Sequence, residues 1–293
     1  MNFLQELLLP EMSFMRCALW VGLLGSISMG IIGTVVVTRR ISSIAGAIAH
    51  AVLGGIGAAL YFRRVYQLDW IQPLAGAAAG AVAAALLIGL VSIFAKERED
   101  TVISAVWAFG MAVGLLFLDK TPGYVDFQGY LFGNILLLSP EDIGWAAALD
   151  AVILIPTVLF FNRLQAMSFD STFAELRGVR VRLIYLLLLT GTALTIVLMV
   201  YMAGIILLIA LLSLPAAAAG CFARRLQTMM LFAVFFCWLF VGSGLICSYA
   251  WQLPSGPVIV LIAVSVYLIS CAVKWFSGKY GHGKEEQLFR RQN

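Results

Sequence analysis

The chain has 293 residues, of which 62% are hydrophobic and only 12% charged, with a net charge of +4. A mean hydropathy of +0.99 excludes a soluble globular domain, in which about a quarter of the residues are charged. The opening stretch MNFLQELLLPEM is acidic and lacks the basic region of a cleaved signal peptide, so the first apolar run is predicted to remain as a helix.

Apolar runs long enough to cross about 30 Å of hydrocarbon recur along the whole length. They predict an all-α polytopic membrane protein with nine spans, near 14–37, 44–62, 71–95, 101–118, 143–162, 183–202, 204–222, 226–249 and 257–276. Between the fourth and fifth, YLFGNILLL (Tyr130–Leu138) is apolar but too short to cross, which suits a re-entrant or interfacial segment. If spans six and seven form one re-entrant pair, the count falls to eight. One transmembrane domain, 1–276, is followed by a polar, mostly basic cytoplasmic tail, 277–293. Fifteen of the nineteen Lys and Arg residues fall on one side when the N-terminus is placed outside; only Arg16, Arg63, Arg64 and Lys120 fall on the other. The positive-inside rule then predicts an N-out, C-in orientation, with Arg63 and Arg64 able to snorkel from a helix end.

The second span reads SSIAGAIAHAVLGGIG, and His50 is its only ionisable residue past Arg39 and Arg40. Gly46, His50, Gly54 and Gly57 share one helix face, so the imidazole meets either a closely packed neighbour or a cavity. Two readings stand for it: an interhelical hydrogen bond, or a place on an ion path, since ionisable groups at membrane depth are expensive and usually functional. Imidazole suits zinc best and iron or manganese less well, and further donors would have to come from other helices or another chain. Asp150 is the second ionisable residue well inside a span; it could pair with His50, coordinate a cation, or be hydrogen-bonded near a helix start.

Gly76-x-x-x-Gly80 and Gly110-x-x-x-Gly114 place pairs of small residues on single faces, where helices approach closely. Pro156 and Pro215 fall inside spans and are predicted to kink them; Pro215 is followed by four alanines. The loop Phe161–Leu183 contains a short helical stretch, Ser171–Leu176, capped by Ser171 or Asp170 and ended by Gly178, with four arginines around it. On its own it reads equally as a connector or as a docking element for a soluble partner. The five cysteines are scattered without a C-x-x-C spacing and are taken as packing residues. In the tail, Gly278-x-x-x-x-Gly283-Lys284 imitates the start of a phosphate-binding loop, but Glu285 follows where Ser or Thr is required, which argues against ATP binding. Ser243 in Val241-Gly242-Ser243-Gly244 fails the pattern of a nucleophile elbow, which argues against an intramembrane hydrolase.

Three stretches together resemble the membrane permease of bacterial ABC importers for zinc, manganese or iron(II). RRISSIAGAIAHAVLGG (Arg39–Gly55) is similar to that family's R-R-x-S-x-x-G-D-x-x-x-H-A segment. GIILLIALLSLPAAAAG (Gly204–Gly220) is similar to its apolar run into P-A-A-x-A, and LPSGPVIVLIAVSVYLIS (Leu253–Ser270) to its T-P-x-G-P-x-I-V-L segment. YLFGNILLLSPED (Tyr130–Asp142) is a looser fourth match.

The resemblance implies a transport subunit rather than an enzyme, with no stably bound cofactor, a divalent metal ion as cargo, and alternating access driven by a separate cytoplasmic ATPase. It implies a second permease subunit, like or unlike this one, an external metal-binding protein, and a place in the bacterial cytoplasmic membrane. The loop at about 163–182, with Ser171, Phe173, Glu175, Arg177 and Gly178, corresponds to the family's coupling segment. Gly46, Gly54 and Pro215 fall at packing and kink positions, and His50, with Asp150 as a second candidate, on the metal path. The family acid three residues before the histidine is here Ala47, so half of a donor pair is missing. A permease for a chelated metal, of siderophore or cobalamin type, and an ATP-independent secondary transporter are the alternatives.

Overall fold

A computed structural model describes residues 13–94, 99–123, 129, 131, 133 and 139–291. Among these residues the fold is helical throughout, without strands. In chain order the helices are α1 (Ser13–Thr38), α2 (Ser42–Val65), α3 (Pro73–Phe94), α4 (Glu99–Lys120), α5 (Pro140–Leu159), α6 (Phe161–Phe169), α7 (Ser171–Leu176), α8 (Val181–Ala203), α9 (Ile205–Phe222), α10 (Leu226–Trp251) and α11 (Ser255–Arg291). Nine of these, all but α6 and α7, are long and apolar enough to cross a membrane. They coincide with the nine predicted spans to within a few residues.

Spans six and seven are two separate helices. They meet at Gly204, whose φ of 77° and ψ of 166° lie in a region essentially reserved for glycine. Most of 130–138, where a re-entrant segment is predicted, lies outside the described residues. Gly133 within it rests on the Ala203–Gly204 backbone, with no space for a Cβ. The last helix continues past the predicted end of span nine as far as Arg291. Pro156 and Pro215 both sit inside continuous helices.

Large apolar side chains cover the exterior, among them Phe109, Leu116, Val158, Leu159, Leu231 and Leu261. An exposed apolar coat of this extent is expected against lipid and not against water. Several hydroxyls carried into the spans are satisfied within their own helices: Thr34, Thr157, Thr192, Ser213 and Ser270 each donate to the carbonyl four residues earlier. No water need accompany them into hydrocarbon. All five cysteines are free thiols.

The bundle is built around α2, the span most enclosed by the rest of the protein. It packs against α3 and α4 most extensively, and against α8 and α9. A second group forms around α1, which packs on α5, α9 and α10, with α11 outside α9 and α10. Glycine sets the spacing around α2. Gly76 and Gly80 of α3 press on Gly55 and Ala51; Gly110 and Gly114 of α4 press on Ala51, Leu53 and Gly54. A Cβ at Gly54 would stand 2.9 Å from the Gly110 carbonyl oxygen, and one at Gly57 2.7 Å from that of Gly114. The two Gly-x-x-x-Gly helices thus clasp α2 from different sides, backbone against backbone.

This clasp has no slack for a branched side chain. Gly55→Val is expected to lower the apparent melting temperature of the detergent-solubilised protein by about 4–10 °C, from an overpacking cost of about 1–3 kcal/mol. Gly242, where an added Cβ meets nothing within 4 Å, provides the control: Gly242→Ala should move the transition by less than about 2 °C.

Candidate functional site

His50 lies two turns into α2 and is 9% exposed. Its Nδ1 stands 2.8 Å from the Gly46 carbonyl oxygen, one turn back. A carbonyl can only accept, so Nδ1 carries the proton and donates. In the neutral ring this leaves Nε2 with the free lone pair, the form that ligates metals. The Trp107 indole of α4 lies on the imidazole, with ring centroids 4.5 Å apart and planes 29° from parallel. Gly46 makes room for this: a Cβ there would come within 3.0 Å of the Trp107 ring. One glycine therefore both accepts the histidine's hydrogen bond and admits its stacking partner.

The glycine face that carries His50 meets a packed neighbour rather than open space. Trp107, Gly110 and Gly114 of α4 cover Gly46, Gly54 and Gly57 in turn. Beside this seam a cleft of about 670 Å³ opens between α2, α3 and α4, walled by Ala51, Gly55, Ala83, Leu87 and Phe109 with Thr101 at one end. Its walls offer almost no ligand atoms, so it is no cation site. Trp107 escaped the reading of the sequence, yet a signal was present. It precedes Gly110 by three residues and so shares the face that the Gly-x-x-x-Gly pair presents to α2.

Asp150 is not brought to His50. It sits in α5, 7% exposed, and its Oδ1 accepts from the backbone N–H of Ser28 at 3.1 Å and from the Ser28 hydroxyl at 2.5 Å. Its Oδ2 is buried without a partner among the described residues. The contact ties α5 to the middle of α1. Laid on His50, the family segment G-D-x-x-x-H puts its acid four residues before the histidine, at Gly46 and not at the expected Ala47, and neither residue carries a carboxylate. Among the described residues no three of His, Cys, Asp and Glu come close enough to hold a metal ion together. The Ser243 hydroxyl donates to the Leu239 carbonyl of its own helix.

The loop between α5 and α8 is built as a compact pair of helices. Asp170 caps α7, its Oδ1 accepting from the Phe173 N–H at 2.9 Å. At the other end Val179 N–H donates to the Ala174 carbonyl and Gly178 N–H to that of Glu175, with Gly178 at φ 80°. These two bonds and the left-handed glycine form a Schellman stop. Ala174 turns inward and is fully buried, while Phe169, Phe173 and Leu176 face out, Leu176 at 83% exposure. Ser171 is half-buried; Glu175, Arg177 and Gly178 are exposed, with the Arg177 guanidinium 5.2 Å over the Phe173 ring. Rigid ends and a bare apolar tip suit a docking element better than a solvated connector.

At the foot of α2, Arg39 sits in the turn after α1. Its Nη1 donates to the Met167 carbonyl at 2.7 Å, and its guanidinium lies 5.9 Å over the Tyr185 ring. Arg64, at the far end of α2, donates to the Pro122 carbonyl at 2.8 Å, and Arg63 lies 4.0 Å from Asp69. These two basic residues close the carbonyl end of the helix, where positive charge is favourable.

Residues 11–274 match the ABC 3 transport family. A probable metal transport system membrane protein of Chlamydia trachomatis is 37% identical over 250 residues, 85% of each chain. A manganese transport system membrane protein of Listeria monocytogenes is 32% identical over 271 residues, 92% of this chain and 93% of the relative. Among solved structures, PsaBC from Streptococcus pneumoniae in complex with Fab superposes with a TM-score of 0.79 at 29% identity, over 92% of this chain and 94% of the other.

The Asp150–Ser28 contact makes a prediction about stability. Asp150→Asn keeps a carbonyl acceptor for both Ser28 donors and should be close to neutral. Asp150→Ala removes the acceptor of the Ser28 hydroxyl in the core, at a cost of about 1–3 kcal/mol. Thermal unfolding in detergent should separate the two variants by several degrees, and equal transitions would show that the contact does not hold α5 to α1.

Proposed function

This chain belongs to the ABC 3 transport family, and from that premise we propose that it moves a divalent transition-metal ion past His50 as the transmembrane subunit of an ATP-driven importer. It is a multi-pass bacterial membrane protein and a transport subunit, with ATP hydrolysis carried by a separate chain. The observation that carries the metal assignment is likeness over nearly the whole length to relatives named for metal and manganese transport. Manganese is accordingly the first cargo to test, with zinc and iron(II) beside it.

The geometry around His50 supports a role in transit. Nδ1 is committed to Gly46, the ring is held flat by Trp107, and Nε2 is left as the ligating atom. A single imidazole binds a divalent ion weakly. Gly46 supplies no carboxylate one turn before it, so the remaining donors come from the ion's own water or from a second permease subunit. Asp150, spent on Ser28, fits a structural tie between α1 and α5 better than a ligand. The exposed tip of α7 docks on the partner ATPase, with Phe173 and Leu176 as its anchors, Asp170 and Gly178 as its stops, and Ser171, Glu175 and Arg177 around them. Closure of the ATPases then pushes on α6 and α7 and exchanges outward-open for inward-open helices. The Lys and Arg bias supports placing this loop and the basic tail in the cytoplasm, with an external metal-binding protein delivering the ion on the opposite side.

Two measurements test this reading. With the whole system reconstituted, His50→Ala should reduce manganese uptake about tenfold or more, as expected when a ligand on an ion path is lost; unchanged uptake with unchanged metal preference would remove His50 from the path. Leu176→Asp places a charge in the proposed apolar dock and should abolish co-purification of the ATPase while the permease itself stays folded, a loss of about 2 kcal/mol or more of binding. Retained co-purification at the same salt would show that the ATPase binds elsewhere.

A further inference from the structure

We propose that Arg39 is a positioning residue that transmits displacement of the α6–α7 loop to the helix bearing His50. This rests on the transport reading given above. It adds the part that joins the loop to the ion path.

The backbone of Arg39 and the two residues after it is fixed to the end of α1. Arg39, Arg40 and Ile41 donate to the carbonyls of Val35, Val37 and Val36, so the α1–α2 turn is closed by three hydrogen bonds, and Arg40 takes a left-handed φ of 59° to complete it. The side chain then leaves this rigid turn and reaches both feet of the loop. On one side Nη1 donates to the carbonyl of Met167, in the last turn of α6, where carbonyls have no partner within the helix. The guanidinium also faces the negative end of the α6 dipole. On the other side its plane lies over Tyr185, at the start of α8. Met167 is fully buried and Tyr185 nearly so. One cation thus holds the segment before α7 and the segment after it to the base of α2.

From that base the path to His50 is short and stiff. His50 is eight residues into α2 from Ser42, about 12 Å along the axis. Just beyond His50, from Ala51 to Gly57, the helix is clasped by the glycine faces of α3 and α4, so a displacement of its foot travels along a stiff helix as a rigid-body movement.

The contact set is also incomplete in one respect. Nε of Arg39 is buried and has no partner among the described residues. A guanidinium with one donor uncommitted is suited to exchange acceptors when the feet of the loop shift, which gives the two discrete arrangements that coupling between sites requires. Lysine cannot replace it, because an ammonium offers a point charge with neither the planar fork nor the stacking face.

The test uses the complete transporter in vesicles, with ATP hydrolysis and metal uptake measured on the same preparation. In Arg39→Ala and Arg39→Gln, assembly with the ATPase and ATP turnover should stay within about twofold of wild type while uptake falls about tenfold, so that the ATP spent per ion rises about tenfold. Arg39→Lys should recover only part of the ratio. Tyr185→Leu, which removes one of the two feet, should give a smaller rise, and its combination with Arg39→Ala should add nothing further. Parallel loss of hydrolysis and uptake, or an unchanged ratio, would overturn the proposal. Where Arg39→Ala fails to assemble, the ratio in Arg39→Lys and Tyr185→Leu decides by the same criterion. A wild-type complex that imports no divalent metal would instead sink the transport reading itself; a wild-type importer whose ratio ignores all these variants sinks only the role of Arg39.

Discussion

Everything at the candidate site depends on how closely α3 and α4 approach α2. Within hydrocarbon there is no hydrophobic drive to bring helices together, because lipid tails are as apolar as leucine. Cohesion has to come from backbone-to-backbone proximity, and that requires surfaces without side chains. Gly54, Gly55 and Gly57 on α2, with Gly76, Gly80, Gly110 and Gly114 facing them, supply such surfaces on two sides of one helix. The same approach brings Trp107 onto His50 and leaves Gly46 to serve both. The orientation of the imidazole is therefore a consequence of helix packing, not of a separate polar network.

Most hydroxyls at membrane depth turn back onto their own helix and so need no partner on another one, the Ser28 hydroxyl on Asp150 being an exception. Asp150 and Arg39 do the opposite, whereas His50 bonds the Gly46 carbonyl of its own helix. Asp150 reaches across to Ser28 on α1, and Arg39 reaches across to Met167 and Tyr185. Among the described residues each is left with one buried atom without a partner, Oδ2 and Nε respectively. A buried donor or acceptor without a partner carries a real penalty, so these two contacts are the places where the packing has not been optimised for one arrangement alone. The hydroxyl contacts fix helices; the Arg39 contact, joining three segments, is the one whose geometry any sliding of the loop must alter.

Much of this was legible in the sequence, and what was not has a physical reason. Hydropathy and length located all nine spans, because crossing about 30 Å of hydrocarbon leaves few alternatives. Local signals located α7 to the residue, since Asp170 and Gly178 are strong caps whose effect needs no tertiary context. The glycine pairs announced close packing but not the partner, because spacing on one helix says nothing about which helix answers it. Trp107 stacking on His50, and Asp150 bonding Ser28 and not His50, are long-range facts of the same kind. They depend on which faces of α1, α4 and α5 are turned inward, and an apolar helix that is hydrophobic all round gives no periodicity from which to read that.

Gly46, standing where the family has an acid, bears on what kind of passage such a site supports. A carboxylate and an imidazole one turn apart would make a strong pair of donors, and an ion held strongly must be released by an equally strong movement. With Gly46 in the acid's place, α2 presents only Nε2 of His50, fixed in direction by that glycine and Trp107. Passage through a membrane requires binding firm enough to admit the ion and weak enough to let it leave. On the proposed path past His50 that balance would be tilted toward leaving. Selectivity must then be set before the ion reaches α2, by whatever delivers it, or shared with a second subunit that contributes the acid. Under either arrangement the task left to α2 is mechanical: to move a well-oriented nitrogen in and out of register, on a helix that is held at both flanks by glycine and at its foot by Arg39.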